Sequence, residues 1–278
     1  MKGRRAVVAL ASGLLGLALV IWSLTPVYNM LLIALDPEEG EIEFSGNIWP
    51  PEPSLESFLV VLTASERYLE HFWRQLGNSL FIGLATTVLT VLIAALASFG
   101  AGRMRGHGGT LLVSASLVTY AVPAGFLIFP FYQVAHHYGL ANNPAAVIAA
   151  YVTFATPLAI MVLRHYATRI PVELDEAARI DGASSLAVFR RIYLPLMAPA
   201  LAVVATFALV LAWNDYLYQF VLLSSERHMT AAVMQAQLFD DADAPWNAMM
   251  AAALIYSLPP VAMFFAVRHW AWRAGGLQ

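Results

Sequence analysis

The chain has 278 residues, of which 60% are hydrophobic and 12% charged, with a net charge of −3, and its mean hydropathy is +0.67. A soluble domain of this size carries about a quarter charged residues, so one soluble core is excluded and several membrane-crossing helices are implied. The absence of cysteine excludes disulfides, thiol catalysis and thiolate metal sites.

The first element predicted is a span over residues 1–35. Met1-Lys2-Gly3-Arg4-Arg5 leads into an apolar run from Ala6 to about Leu35, interrupted only by Pro26 and Asn29. That run is too long for a signal-peptide core, and Ala9-Leu10-Ala11 lies inside it as a poor cleavage site, so a retained span is expected. Residues 36–74 follow as an external loop with nine acids: Asp36, Glu38, Glu39, Glu41, Glu43, Glu52, Glu56, Glu66 and Glu70. Within it Ile48-Trp49-Pro50-Pro51-Glu52-Pro53 is turn-rich. Ser57 to Ala64 and Tyr68 to Trp73 read as short interfacial helices, with Tyr68, Phe72 and Trp73 as headgroup-level anchors.

Residues 75–270 read as the transmembrane core. Five further apolar stretches lie in it: Leu76 to Gly100, Leu111 to Gln133, Ala145 to Leu163, Pro195 to Leu223 and Trp246 to Val267. Each reaches the ~20 residues a helix needs to cross the hydrocarbon core. Pro123, Pro130, Pro157, Pro259 and Pro260 are expected to bend or break helices. Asn78 and Ser79 are placed to hydrogen-bond between helices. The second acidic loop, 224–245, holds Asp240, Asp241 and Asp243 without the spaced ligands of a calcium loop, and both acid runs read as solvated faces.

Six spans put both termini on one side. Lys2, Arg4, Arg5, Arg103, Arg105, Arg164, Arg169, Arg179, Arg190, Arg191, Arg268 and Arg273 share that side, and only Arg67, Arg74 and Arg227 fall on the other. The positive-inside bias therefore predicts cytoplasmic termini, a cytoplasmic 164–194 segment and a short cytoplasmic tail at 271–278.

The 164–194 segment is charged and glycine-punctuated. Pro171 suits the start of a helix over Val172 to Ile180, and Asp181-Gly182 stops it, Gly182 being able to take positive φ. Ser184 or Ser185 can cap a second helix, Leu186 to Tyr193, predicted to expose Phe189 beside Arg190 and Arg191. Pro195 is predicted to open the next span. About thirty residues is long for a mere connection, and a helix–turn–helix outside the lipid offers a docking surface.

Glu176-Ala177-Ala178, three residues, Gly182, nine residues, Ile192, then Leu194-Pro195 resembles the signature loop of permease subunits of binding-protein-dependent ABC importers. The wording from Ile170 to Ala183 is similar to the carbohydrate-importer branch, closest to its MalG-like member. Asn78-Ser79-Leu80, Gly139-Leu140-Ala141-Asn142-Asn143, Pro195-Leu196-Met197-Ala198-Pro199-Ala200-Leu201-Ala202 and Trp213-Asn214-Asp215 extend the resemblance over roughly residues 70–270. The segment Ala97-Ser98-Phe99-Gly100-Ala101-Gly102-Arg103 departs from the Tyr-Ala-Phe-Ala-Arg wording of that branch.

The resemblance implies an all-α, polytopic protein with the type I ABC importer permease fold in a bacterial or archaeal inner membrane. It implies four partners besides membrane lipid: a MalF-like second permease, a homodimeric or heterodimeric cytoplasmic ATPase, an external solute-binding protein and a sugar. Glu176, Ala177, Ala178, Asp181, Gly182 and Phe189 become the ATPase-coupling residues. Trp213, Asn214, Asp215, Tyr120, Tyr132, Tyr151 and Tyr216 become candidates for the translocation pathway, with helix packing as the competing role. No enzyme activity and no nucleic acid are expected. No cofactor is expected in this chain, since it has no Gly-x-x-x-x-Gly-Lys-Ser/Thr loop and its only lysine is Lys2; ATP and magnesium belong to the partner ATPase.

Three alternatives stay open: a permease for another solute (a polyamine, phosphate or an amino acid), an ion-coupled carrier, and an intramembrane enzyme. A carrier calls for an internal repeat, and none is visible. An enzyme calls for a nucleophile–base pair, yet His165 lies beyond the fourth span and no serine has a matched partner.

Overall fold

The computed structural model describes residues 2–37, 48–104, 107–240 and 244–274, and among these all regular structure is helical. Glu38, Glu39, Glu41 and Glu43, Arg105, Asp241 and Asp243, and the end of the 271–278 tail lie outside the described residues. Helix α1 (Lys2–Ala34) covers the first span and continues through Pro26. Helix α2 (Glu56–Thr63) is the short helix expected there, closed by Ala64 in left-handed conformation.

The second short helix is not formed. A single 3₁₀ turn occupies Arg67–Leu69, and Phe72 already opens α3 (Phe72–Arg103). Leu69 and Phe72, three residues apart on one face, are both fully buried, so Phe72 packs inward and is no headgroup anchor.

The third apolar stretch is broken. Helix α4 (Gly108–Leu117) passes into 3₁₀ turns at Val118–Ala121 and Ala124–Leu127 and then into α5 (Ile128–His137), the two halves bent by 85°. Pro123 forces the break: it holds Val122 in extended conformation at φ −98°, ψ 118°. Pro130 sits in the first turn of α5, where an N–H has no partner in the helix anyway. Helix α6 (Pro144–Ala167) runs unbroken through Pro157. Its start is fixed by Asn143, whose Oδ1 accepts from the Ala145 N–H at 2.9 Å.

Helix α7 (Val172–Ile180) is followed by α8 (Ser185–Val188), a π-helical turn at Phe189–Tyr193, α9 (Leu194–Leu196) and α10 (Ala198–Asn214). The fifth span therefore does not open at Pro195. The chain bends by 78° at Met197 instead, because Pro199 has no N–H for the Pro195 carbonyl. Helix α11 (Leu217–Leu222), α12 (Ala231–Asp240) and α13 (Trp246–Ala274) complete the order, α13 passing Pro259-Pro260 without interruption. Among the described residues four helices are long and apolar enough to span a membrane alone, and up to six spans result when each bent pair counts as one.

Two compact units form: Met1–Phe72 with Gln235–Leu258, and Trp73–Met234 with Pro259–Gln278. In the first, the Tyr28 hydroxyl donates to the Ile48 carbonyl, and Asn247 Nδ2 donates to the Asp36 carbonyl at 3.2 Å. In the second, α6 packs on α10 through small residues: Ala155, Ala159, Ala200 and Ala208 are all at most 3% exposed. Small side chains let backbones approach closely, which drives helix association where lipid removes the hydrophobic incentive. Ala94, Leu163, Tyr193, Met197 and Val204 fill one core of this unit, and Ile82, Val147, Tyr151, Tyr218 and Leu222 another.

Candidate functional site

Helix α7 is built by local rules. Glu173 and Asp175 lie in its first turn and Arg179 in its last, each complementing the helix dipole. At its end the Ala183 N–H donates to the Ala178 carbonyl at 2.9 Å and the Gly182 N–H to the Arg179 carbonyl at 3.0 Å. This Schellman closure needs Gly182 in left-handed conformation, and its φ is +80°. A Cβ added there meets nothing within 4 Å. Ser184 is the cap of α8, its Oγ accepting from the Ala187 N–H at 3.3 Å.

Glu176, Ala177, Asp181 and Gly182 are exposed together, with Ala178 half-buried. Ile180 at 86% and Leu186 at 62% exposure flank them. Four of the six predicted coupling residues thus share one outward surface, and Ala178 lies at its edge. Phe189 is not part of it. It is 8% exposed, meeting Phe99 edge-on at 5.0 Å and stacking on Tyr193 at 5.7 Å. Phe189 and Tyr193, four residues apart in the π-helical turn, both face Phe99 of α3. The expectation of a protruding aromatic is corrected to a buried one.

The end of α3 meets both arms of this hairpin. Arg103 forms an ion pair with Asp175 of α7, donates from Nη1 to the Phe99 carbonyl at 3.1 Å, and lies 3.3 Å above the Phe99 ring centre. Phe99 is edge-on to Tyr193 at 5.1 Å, and the Tyr193 and Ser98 hydroxyls are hydrogen-bonded at 2.8 Å. Beside them a cavity of about 420 Å³ is lined by residues that include Arg103, Arg164, Glu176 and Arg179. Arg164 lies close over Gly102, where a Cβ would come within 2.9 Å of its Nη1. Sequence reasoning missed Ser98, Phe99 and Arg103. Their signal was an aromatic four residues before an arginine at a span's basic end.

The pathway candidates divide. Asp215 sits in extended conformation where α10 ends. Its Oδ1 accepts from the Tyr151 hydroxyl at 2.7 Å and the Tyr218 N–H at 2.9 Å. It thereby caps α11 and ties it to α6. Tyr151 and Trp213 are 1% and 2% exposed, so neither ring presents a face for a sugar to stack on. Asn214 is exposed, as are Tyr120, Tyr132 and Tyr216. Tyr120 donates to the Phe154 carbonyl at 2.7 Å, and Tyr216 stacks on Phe220 at 5.2 Å. Tyr218, also missed, donates to the Ala124 carbonyl at 2.6 Å and joins Phe131 and Phe154 in an aromatic group. Buried Gln219 donates to the Ala212 carbonyl at 2.9 Å, bridging the break after α10.

Asn78 serves a loop, whereas Ser79 bonds the start of helix α12, a bond between helices as expected. Asn78 Nδ2 donates to the Arg227 and Met229 carbonyls at 3.0 and 2.8 Å, and Ser79 Oγ accepts from the Ala231 N–H at 3.0 Å. Asn142, at φ +55°, accepts from the Ser224 N–H at 3.1 Å and from the Ser225 N–H and Oγ at 3.0 Å. Residues 224–231 are thus held from both sides.

Long apolar helices, two sharply bent spans and an exposed helical hairpin mark a multi-pass membrane protein. The chain belongs to the family of binding-protein-dependent transport system inner membrane components, whose model matches residues 93–273. It is 31% identical over 251 residues to the inner membrane ABC transporter permease protein YcjP of Escherichia coli K12, covering 90% of this chain and 88% of that protein. It is 34% identical over 190 residues to the trehalose transport system permease protein SugB of Mycobacterium tuberculosis, 68% and 69% of the two chains. It is 33% identical over 195 residues to the trehalose/maltose transport system permease protein MalG of Thermococcus litoralis, 69% and 70% of the two. Its fold is shared, at a TM-score of 0.77 and 20% identity over 97% of this chain and 98% of the other, with a chain of a bacterial ABC transporter involved in the import of the acidic polysaccharide alginate.

Proposed function

We propose that this chain is a permease subunit of an ATP-driven, binding-protein-dependent importer for a sugar or sugar derivative. It forms half of the translocation pathway with a second, MalF-like permease. An external binding protein delivers the solute, and both termini and the α7–α8 hairpin lie in the cytoplasm. The hairpin docks in a cytoplasmic ATPase, which holds the ATP and magnesium. One observation carries this reading: an exposed helix ended by a glycine closure presents Glu176, Ala177, Asp181 and Gly182 on one surface. Small Ala177 allows close approach, and Glu176 and Asp181 offer carboxylates to basic groups of the ATPase. The trehalose and maltose named for the relatives support the sugar class.

The test is co-purification of the chain with companion ATPase and permease subunits. ATP hydrolysis in proteoliposomes is then measured with the binding protein and either trehalose or maltose. Stimulation by one of these sugars is expected, and transport by this chain alone without ATP sinks the proposal. Gly182→Val, which puts a β-branched side chain at φ +80°, is expected to leave the protein in the membrane while about tenfold less solute moves per ATP. Normal uptake by that variant removes the hairpin from the coupling role.

A further inference from the structure

We infer that Arg103 is a positioning residue for the coupling surface: its ion pair with Asp175 sets the rotation of α7 about its own axis. This rests on the hairpin being the coupling element. Successive helical residues turn by about 100°, so fixing one side chain fixes the others. Asp175, paired inward, and Ala178, three residues on, are half-buried, whereas Glu173, Glu176, Ala177 and Ile180 are exposed. The face carrying Glu176 and Ala177 points outward because Asp175 points to Arg103.

Arg103 is itself held by the Phe99 carbonyl and ring. The same ring meets Phe189 and Tyr193 of the second arm, and neighbouring Ser98 bonds the Tyr193 hydroxyl. One turn and a half of α3, residues 98–103, therefore fastens the hairpin before Gly182 and after it. A displacement of the docked hairpin is passed to α3 through a charge pair on one arm and an aromatic cluster on the other. Charge-assisted pairs with an arginine fork are directional, which suits a rotational constraint better than apolar packing alone.

The test measures rotation and docking separately in the purified complex. The chain has no cysteine, so two introduced thiols, at Ile180 and at Leu96 on α3, take spin labels specifically when the companion subunits are cysteine-free. Electron–electron distance measurements are expected to give a narrow distribution in the parent. The distribution broadens in Arg103→Gln and in the isosteric Asp175→Asn, and narrows again in the exchange variant R103D/D175R. In the same proteins without the labels, affinity for the co-purified ATPase falls about tenfold in each single variant and recovers in the exchange, as the loss and return of one charge-assisted tie requires. Asp175→Asn decides if Arg103→Gln does not reach the membrane. Unchanged widths in Asp175→Asn, or an exchange variant as broad as the singles, overturn the inference. Restored widths with ATPase affinity unmoved throughout leave the fastening in place and count against the docking role of the hairpin.

Discussion

Phe189 and Ile180 differ in exposure by 8% against 86%, although both are apolar residues in a short charged segment. What separates them is the partner on α3, which no residue near either position announces. Phe189→Ala removes a ring from the Phe99–Tyr193 cluster and is expected to destabilise by about 3 kcal/mol, as truncations of buried Phe do. Leu186→Ala, at an exposed position, stays within about 0.5 kcal/mol. Thermal unfolding in detergent distinguishes them, and equal midpoints refute the buried placement. Asp215 makes a different kind of residue-level claim, since its carboxylate bonds both Tyr151 and the α11 backbone. Asp215→Asn combined with Tyr151→Phe is expected to show a coupling energy of at least about 0.5 kcal/mol in a double-mutant cycle. If Asp215 instead meets the solute, Asp215→Asn changes apparent solute affinity and the two stability effects simply add.

The hairpin elements were legible where the rules are local. Gly182 ends α7 and Ser184 starts α8 because a positive φ and a hydroxyl cap are properties of single residues and their immediate neighbours. Ser184→Ala is expected to cost about 1 kcal/mol of α8 stability. Faster hydrogen exchange at the Ala187 amide, with the Leu163 amide in α6 unchanged, is the measurement that checks it. The π-helical turn at Phe189–Tyr193 was not legible, because Phe-Arg-Arg-Ile-Tyr carries no signal that separates a π turn from an α turn. Prolines were legible only as possibilities. Pro123 and Pro199 coincide with bends of 85° and 78°, yet α6 and α13 run through Pro157 and Pro259-Pro260 without interruption. Neighbouring helices and waters can re-satisfy a carbonyl freed by proline, and sequence does not say where they will.

At the scale of the molecule, composition and apolar runs were enough for the all-helical, multi-pass class, because a bilayer demands internally bonded backbone over a set length. The bend at Pro123 was among those expected, whereas the bend at Met197 was not, since length and hydropathy carry no record of direction. Of the pathway candidates, the sequence offered residue types without depth: Trp213 and Tyr151 are buried within the subunit. The distribution of basic residues carries a further consequence. With cytoplasmic termini, a single cysteine at Ile180 is shielded from a membrane-impermeant maleimide in intact cells. One at Ser224, an exposed residue of the other side, is labelled. The opposite pattern inverts the topology and removes the hairpin from any cytoplasmic ATPase.

The empty space around Gly182 has one more consequence. Nothing crowds a methyl group there, so only the chirality of an ordinary amino acid stands against one. A mirror-image residue has no such objection, being at ease at the φ that Gly182 adopts. D-alanine introduced at 182 by semisynthesis would keep the turn and restrict the unfolded chain, with a gain of about 0.4–1 kcal/mol. L-alanine at the same site would lose stability. The hairpin's turn is thus a place where handedness alone can be titrated, with the outward surface left as it is.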